Sequence, residues 1–229
     1  MNGPRALVLD EDSDLAELVP PSQLPSARQA SVAATVQLDA GQWDASVDAG
    51  RAREGFGLLA LDGVLVRRVG YGGRFGAELL AAGDLLRPWE FDGDETLGFE
   101  TTWRVLSGTR LAVLDHGWAE RMARYTRVAP ALAGRAMTRA RRLAAMMAIA
   151  QQPRLDERLW MLFWELADRH GRVHPDGVYL DLPLTHEVLS HLVAARRPSV
   201  SGALTKLAGQ GRLERDGRRW VLRGEPPGR

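Results

Sequence analysis

Residues 191–207 read HLVAARRPSVSGALTKL and place two arginines and a proline between two stretches that carry apolar residues at helical spacing. Just upstream, Thr185 stands where it can cap the first stretch as a helix. Proline is tolerated in the first turn of a helix, so Pro198 marks the start of the second. The segment therefore predicts two consecutive helices joined by a short basic turn.

The second of these helices has one apolar face, formed by Val200, Ala203, Leu204 and Leu207. That face must be buried, which leaves arginine and small hydroxyl residues on the other faces. Arginine can read guanine through two hydrogen bonds, and hydroxyl groups can hold phosphates. A helix of this composition suits the major groove of DNA.

A basic hairpin follows at the distance expected of a wing. Residues 212–222, RLERDGRRWVL, turn on Asp216 and Gly217 and place arginines near the turn, where they can contact the DNA backbone. An amphipathic helix at 155–171 and a Pro-Asp-Gly turn at 175–177 complete the order of a winged helix-turn-helix. The predicted DNA-binding residues are Arg196, Arg197, Ser199, Ser201, Thr205, Lys206, Arg218 and Arg219.

The charges are spread unevenly along the chain. Residues 1–100 hold 17 acidic and 8 basic side chains, whereas residues 191–223 hold 8 basic and 2 acidic ones. This asymmetry favours a polyanion-binding end on an acidic body, with a solvated basic face as the alternative. Cysteine is absent, which excludes disulfides, thiolate metal sites and cysteine-bound iron–sulfur clusters. With no secretory signal and no membrane-length apolar run, we expect a cytoplasmic protein without a membrane partner.

Short apolar runs separated by glycine and aspartate occupy residues 32–114. Among them are SVAATVQL, GLLALDGVLVRRV, AELLAAGDLL and TRLAVLD, and the Asp62–Gly63 pair predicts a hairpin within LDGVLV. Many short strands at close spacing indicate a small sandwich or barrel.

A long helical pattern covers residues 118–151 and is divided by Pro130. Beyond that proline, apolar residues recur at steps of three and four, close to the period of a coiled-coil seam. A helix packed only on its own domain is the alternative. Pro153 marks the expected domain boundary. The predicted dimerisation residues are Leu132, Ala136, Ala140, Leu143 and Met147.

From HPDGVYLDLPLTHEVLSHLVAARRPSVSGALTKLAGQGRLERDGRRWVL, residues 174–222, the chain resembles the superfamily of the cyclic AMP receptor protein and the fumarate-nitrate regulator (CRP/FNR). The resemblance implies an α+β fold with a cyclic-nucleotide-binding-like β-roll at 1–117, a long dimerisation helix at 118–152 and a winged helix-turn-helix domain at 153–229. It also implies a transcription regulator that binds double-stranded DNA as a homodimer on a roughly palindromic operator, with RNA polymerase as a possible partner.

Carried over by position, Arg197 falls where the superfamily often has a base-reading arginine, and Ser199 falls on a phosphate-contacting hydroxyl. Pro198 and Gly202 replace a glutamate and a second arginine that read bases in well-known members. We therefore expect a different operator, with Ser201 or Thr205 contributing to its recognition.

The sensory half departs further from the superfamily. Where members that bind cyclic nucleotides resemble one another in a glycine-glutamate pair and a later arginine-hydroxyl pair, this chain has Arg87–Pro88 and Phe99–Glu100. A buried phosphate without a cationic partner is costly, so cyclic AMP is not expected to bind in the usual way, although Arg87 or Arg104 could support an altered site. The effector stays unknown and no cofactor is predicted. The negative charge of a cyclic phosphate would also be repelled by four acidic residues nearby: Glu90, Asp92, Asp94 and Glu95.

The sensory half also contains four tryptophans, which could line an apolar ligand pocket or simply form an aromatic core: Trp43, Trp89, Trp103 and Trp118.

Other classes of protein find little support. The glycine-rich GYGGRFG at 70–76 lacks the spacing of a dinucleotide or phosphate loop, and Asp115–His116 with a remote serine makes no triad, so no enzyme is predicted. His116 is the one histidine outside the DNA-binding half, which argues against haem. The competing function is a winged-helix protein-interaction module without specific DNA binding.

Overall fold

The structure is a computed structural model that describes residues 4–50, 52–88 and 97–228. Contacts divide the chain into two compact units, one comprising residues 1–67 and 79–141 and the other residues 68–78 and 142–229. Because this division falls inside the long helix, it does not test the three predicted segments one by one. Their bounds at residues 118 and 153 stay predictions.

The strands of residues 4–114 form two sheets. One sheet has the order β1-β2-β9-β4-β7 and the other the order β3-β8-β5-β6. The expectation of many short strands in a small β-roll, within an α+β fold, is confirmed. The strands are β1 (Arg5–Leu7), β2 (Val32–Leu38), β3 (Gly41–Trp43), β4 (Gly57–Ala60), β5 (Val64–Tyr71), β6 (Arg74–Ala81), β7 (Leu85–Leu86), β8 (Glu100–Ser107) and β9 (Thr109–Leu114).

The Asp62–Gly63 turn joins strands of different sheets, so the predicted hairpin within LDGVLV is wrong. β4 pairs with β7 and β9, whereas β5 lies in the other sheet. The Asp62 carboxylate fixes the corner by accepting hydrogen bonds from the backbone N and the Nε of Arg110, at 2.7 and 2.6 Å. An Asp-Gly pair indicates a tight turn, but the partners of the flanking strands depend on tertiary packing.

The glycine-rich stretch at 70–76 is a hairpin. It joins the neighbouring strands β5 and β6 through Gly72 and Gly73, whose φ angles are 57° and 77°. Two consecutive residues with positive φ suit a tight two-residue hairpin loop, which glycine forms without steric cost.

Trp118 is a core residue of the first unit. Its side chain is fully buried, its Nε1 donates to the carbonyl of Ser31 at 3.0 Å, and Phe56 meets it edge to face. Short helical segments supply part of the same core: α1 (Val8–Glu11), α2 (Ser13–Ala16) and α3 (Leu24–Ala30). The 3-10 turn before α3 (Pro21–Gln23) has no buried residue. A further turn of helix, α4, spans Ser46–Ala49. Trp118 thus packs the core, the alternative considered for it above.

Two helices follow the sheets, α5 (His116–Met122) and α6 (Val128–Ala150). The interruption between them lies at residues 123–127, so the prediction that Pro130 divides the helix is wrong. Pro130 lies in the first turn of α6, where a missing N–H costs little. Leu132 is fully buried in the core of the first unit, together with Trp118.

Two arginines attach α6 to the first unit. Arg135 donates to both carboxylate oxygens of Asp12, at 2.5 and 2.7 Å, and to the carbonyl of Gly83 at 3.2 Å. The hydrogen bonds with Asp12 raise the pKa of Arg135. Arg139 donates to the carbonyl of Leu85 at 3.2 Å. These contacts fix the beginning of α6 on its own unit.

The second unit contains a helix, a hairpin, two helices and a second hairpin, which confirms the predicted order. Its sheet has the order β10-β11-β13-β12, and Phe163 packs on Trp220 with ring centroids 5.0 Å apart. The elements are α7 (Leu155–His170), β10 (Gly171–His174), β11 (Gly177–Leu180), α8 (His186–Leu192), α9 (Arg197–Gly209), β12 (Leu213–Asp216) and β13 (Arg219–Leu222).

The turn between α8 and α9 contains an alanine in the left-handed region. Ala194 has φ 51° and is the only non-glycine residue of the described chain with positive φ. Neighbouring hydrogen bonds hold the turn: Ala195 N donates to Ser190 O at 2.9 Å, and Arg158 donates to Val193 O at 3.1 Å. These contacts offset the steric cost that alanine pays in this conformation.

Substituting Ala194→Gly is expected to raise the free energy of unfolding by about 0.5 to 1 kcal/mol, because glycine adopts positive φ without a Cβ clash. The gain is smaller than the full steric cost, since glycine loses more backbone entropy on folding than alanine does. The measurement is urea unfolding followed by circular dichroism. Ala208→Gly, on the exposed side of α9, is the control and should lower stability by about 1 kcal/mol. Equal destabilisation by both substitutions would contradict the strain at Ala194.

Candidate nucleic-acid interface

The first helix of the pair, α8, is fixed by a cap and by its apolar side. The Thr185 side chain accepts a hydrogen bond from Val188 N at 3.2 Å, as the sequence predicts. Val188, Leu189 and Leu192 are buried. Helix α8 therefore supports α9 from a defined position within the second unit.

The second helix, α9, buries one face and exposes the opposite one. Val200, Leu204 and Leu207 are 0%, 6% and 1% exposed, in agreement with the predicted apolar face. A side chain added at Gly202 would meet no atom within 4 Å. Residues left exposed on α9 and at its start include Arg196, Arg197, Pro198, Ser199, Gly202 and Thr205.

Arg196 and Arg197 carry charges that no described residue neutralises. Neither side chain makes a hydrogen bond or an ion pair within the described part of the chain. Pro198 lies in the first turn of α9, where its missing N–H costs little. The beginning of α9 is thus an exposed cationic corner.

The hydroxyl groups of α9 bond first to the helix itself. Thr205 Oγ1 donates to Ser201 O at 3.0 Å, and Ser201 Oγ lies 3.3 Å from Arg197 O. Ser201 Oγ also lies 2.8 Å from Nδ1 of His186 at the start of α8. Because these hydroxyl hydrogens have internal partners, Thr205 offers a ligand an acceptor oxygen and a methyl group rather than a donor.

Lys206 has a protein partner that the sequence does not reveal. Its Nζ lies 2.6 Å from Asp156, which also pairs with Arg154 at 2.8 Å. The hydrogen bonds from Arg154 and then from Lys206 hold the pKa of Asp156 far below its usual value. The charge of Lys206 is therefore compensated, unlike the charges of Arg196 and Arg197.

The wing presents its arginines in different ways. Gly217 has φ 59° in the loop between β12 and β13, and the neighbouring Arg218 is exposed with no hydrogen bond or ion pair to the described residues. Arg219 lies over the Tyr179 ring at 5.4 Å, and Arg215 over the Trp220 ring at 5.1 Å. Arg218 is thus the most available cation at the tip.

The predicted dimerisation residues fall on more than one side of α6. Leu132 belongs to the core of its own unit, and Leu143 is half-buried. Met137, which the sequence analysis missed, is 75% exposed, and Met147 is 70% exposed. The exposed apolar stripe of α6 follows steps of four, three, four and three through Ala133, Met137, Ala140, Ala144 and Met147.

A cavity of about 350 Å³ lies beside β3 and β8 in the first unit. Trp43 and Trp103 line it in an edge-to-face pair, with centroids 5.4 Å apart. Hydrogen bonds from the side chain and backbone of Ser46 lower the pKa of Asp44, which also lines the cavity. The lining described for the cavity is Gln42, Trp43, Asp44, Ala45, Ser46, Pro88, Phe99, Thr101, Thr102 and Trp103, with no lysine or arginine.

Neither arginine considered for an altered effector site lines this cavity. Arg87 donates to the carbonyl of Gly55 at 3.3 Å, and Arg104 has interactions of its own. Phe99 lines the cavity and Glu100 does not. Five residues considered above lie outside the described residues: Trp89, Glu90, Asp92, Asp94 and Glu95.

Asp115 and His116 both take part in the local structure of α5. Asp115 caps α5 by accepting from Trp118 N at 2.8 Å, and His116 pairs with Glu120 at 3.2 Å on the surface. No group of three or more histidine, aspartate or glutamate residues described there could hold a metal ion. None of the described helices is long and apolar enough to cross a membrane.

Comparisons with known proteins agree with this geometry. Residues 157–225 match the family described as the Crp-like helix-turn-helix domain. The fold is similar to that of a CooA mutant from Carboxydothermus hydrogenoformans (15% identity, 96% of this chain and 92% of that one, TM-score 0.64). It is also similar to a CRP-family transcriptional regulator from Thermus thermophilus (22%, 82% and 91%, 0.53).

A third similar structure is the c-di-GMP responsive global regulator CLP of Xanthomonas campestris (16% identity, 93% of this chain and 100% of that one, TM-score 0.57). Curated protein sequences give no significant match. The resemblance noted in the sequence is confirmed: residues 157–225 match the Crp-like helix-turn-helix domain, and the fold of the chain is similar to the folds of these CRP-type regulators.

Proposed function

We propose that this protein is a transcription regulator that binds a specific, roughly palindromic DNA operator as a homodimer. The observation that carries the proposal is the exposed corner of α9, where Arg196 and Arg197 have no protein partner among the described residues while Val200 and Leu204 are buried behind them. A cationic helix edge without an internal counter-charge fits the major groove, where phosphates and guanine edges supply the missing partners. The proposal also places the protein in the cytoplasm, with RNA polymerase as a partner.

The exposed side chains of α9 can make different kinds of contact with DNA. Arg197 can donate two hydrogen bonds to guanine, and Ser199 can donate to a phosphate. Thr205 can accept from an adenine or cytosine amino group or place its methyl group on a thymine. Lys206, paired with Asp156, adds little net charge. Arg218 on the wing reaches the backbone and contributes affinity without sequence preference.

The dimer would form through the exposed stripe of α6, from Ala133 through Met137 and Ala140 to Met147. Small residues that alternate with methionine allow two helices to approach closely, and the spacing is that of a coiled-coil seam. Two copies of α9 related by this symmetry would occupy major grooves about 34 Å apart.

Binding to DNA can be separated from the protein-docking alternative by fluorescence anisotropy across a salt series. Selection of bound fragments from random genomic DNA would first supply the operator. A saturable complex with that operator, well above the background with random duplex, supports the regulator. Equal, weak binding to every duplex would favour a docking module.

The proposal predicts that two arginine substitutions weaken DNA binding in different ways. Arg197→Ala should lower the preference for operator over random DNA by about 1 to 3 kcal/mol per contact, because it removes a base contact. Arg218→Ala should weaken binding to both duplexes alike and reduce the salt slope, because it removes a phosphate contact. Anisotropy titrations of the two variants measure both effects. A uniform loss for Arg197→Ala would assign that side chain to the backbone instead.

We also propose that cyclic AMP does not control the protein in the usual way. The described lining of the cavity beside β3 and β8 holds aromatic rings, hydroxyl groups and the Asp44 carboxylate, with no arginine to balance a cyclic phosphate. An anion placed there would lose water without gaining a cationic partner. The cavity suits a neutral or cationic small molecule instead.

Isothermal calorimetry of the full chain with cyclic AMP and cyclic GMP tests this point. The expected outcome is no saturable heat at micromolar ligand, because the described cavity lining offers no charge to neutralise the phosphate. Micromolar binding of either nucleotide would contradict it. Asp44→Asn is the informative variant, since removal of the carboxylate should ease the entry of an anion.

A further inference from the structure

His186 links the two helices of the candidate interface. It is the first residue of α8, and its Nδ1 lies 2.8 Å from Ser201 Oγ in the second turn of α9. This is the only hydrogen bond that the imidazole makes with the described residues, so Nε2 has no partner there. The side chain is partly exposed. One ring nitrogen is thus held by the protein, and the other is available to a ligand.

The serine that holds His186 belongs to the α9 face that the proposed function places on DNA. Arg197, Ser201 and Thr205 are spaced four residues apart, and the Ser201 and Thr205 hydroxyl oxygens lie 3.3 and 3.0 Å from the carbonyl oxygens of Arg197 and Ser201. His186 contacts the middle residue of the row from the side of α8. Its imidazole therefore stands at the edge of the same surface.

The single hydroxyl hydrogen of Ser201 decides which ring nitrogen carries a hydrogen. Nδ1 of His186, at 2.8 Å, is a closer acceptor than Arg197 O at 3.3 Å. When the hydroxyl donates to Nδ1, the neutral ring carries its hydrogen on Nε2. The ring then has a hydrogen-bond donor at Nε2 that has no partner among the described residues.

We propose that His186 is a DNA-backbone contact, in which Nε2–H donates to a phosphate oxygen while Ser201 positions the ring. This inference rests on the proposed function, which places α9 in the major groove. In helix-turn-helix proteins the first helix crosses the backbone beside the groove that the second one occupies. Ser201 thereby acts as a positioning residue rather than the base reader that the sequence suggests.

Two substitutions separate the contact from the packing. Asparagine places its amide near the position of Nδ1 and can keep the bond to Ser201, whereas glutamine places its amide near the position of Nε2 and can keep a donor to phosphate. His186→Asn is expected to weaken binding to operator and random duplex alike, by about tenfold, because a phosphate contact carries no sequence information. His186→Gln should stay within about threefold of the parent chain.

The measurement is anisotropy of the full-length chain and both variants on operator and on random duplex, with thermal melting to compare their folding. Ser201→Ala should lower affinity in the parent chain and have little further effect beside His186→Asn. Parental affinity of His186→Asn for random duplex, or a greater loss for glutamine than for asparagine, would overturn the inference. If the parent chain shows no preference for operator, the proposed sequence-specific function is wrong. The titrations on random duplex still test the contact of His186 with the DNA backbone in that case.

Discussion

The interface depends on the burial of one face of α9. Val200, Leu204 and Leu207 are almost completely removed from water, and each such side chain contributes on the order of 1.5 to 3 kcal/mol. Rotation of the helix about its axis would expose these residues, so its orientation in the second unit is fixed. The exposed side is consequently fixed as well: it carries Ser199, Gly202 and Thr205, while Arg197 is exposed at the start of the helix. A packing constraint thus determines which side chains meet a partner.

The cations of the second unit fall into two groups that differ in their partners. Lys206 is paired with the buried Asp156, whereas Arg197 and Arg218 have no partner among the described residues. A charge already satisfied by the protein gains little from a phosphate, because its existing ion pair must be broken first. An unpaired surface cation that neutralises a phosphate releases counterions from the DNA, which favours binding. Formal net charge alone does not distinguish these groups.

Local signals were sufficient for the helix-turn-helix, and signals that depend on distant partners were not. The cap at Thr185 and the apolar spacing of α9 concern residues a few positions apart, so the sequence predicts both correctly. Asp62–Gly63 indicates a turn, but strand pairing depends on the rest of the sheets. Leu132 has the period of a seam yet lies in a core, because periodicity does not identify which surface covers a face. The pairing of His186 with Ser201 had no signal in the sequence, since their proximity follows from how the two helices cross.

The central claim is that two copies of α9 are presented together to neighbouring major grooves. Hydroxyl-radical footprinting of the selected operator, combined with a stoichiometric titration, tests it most directly. The account predicts two protected stretches on one face of the duplex, about ten base pairs apart and related by a dyad, with two chains bound. A single protected stretch with one chain per duplex would contradict it.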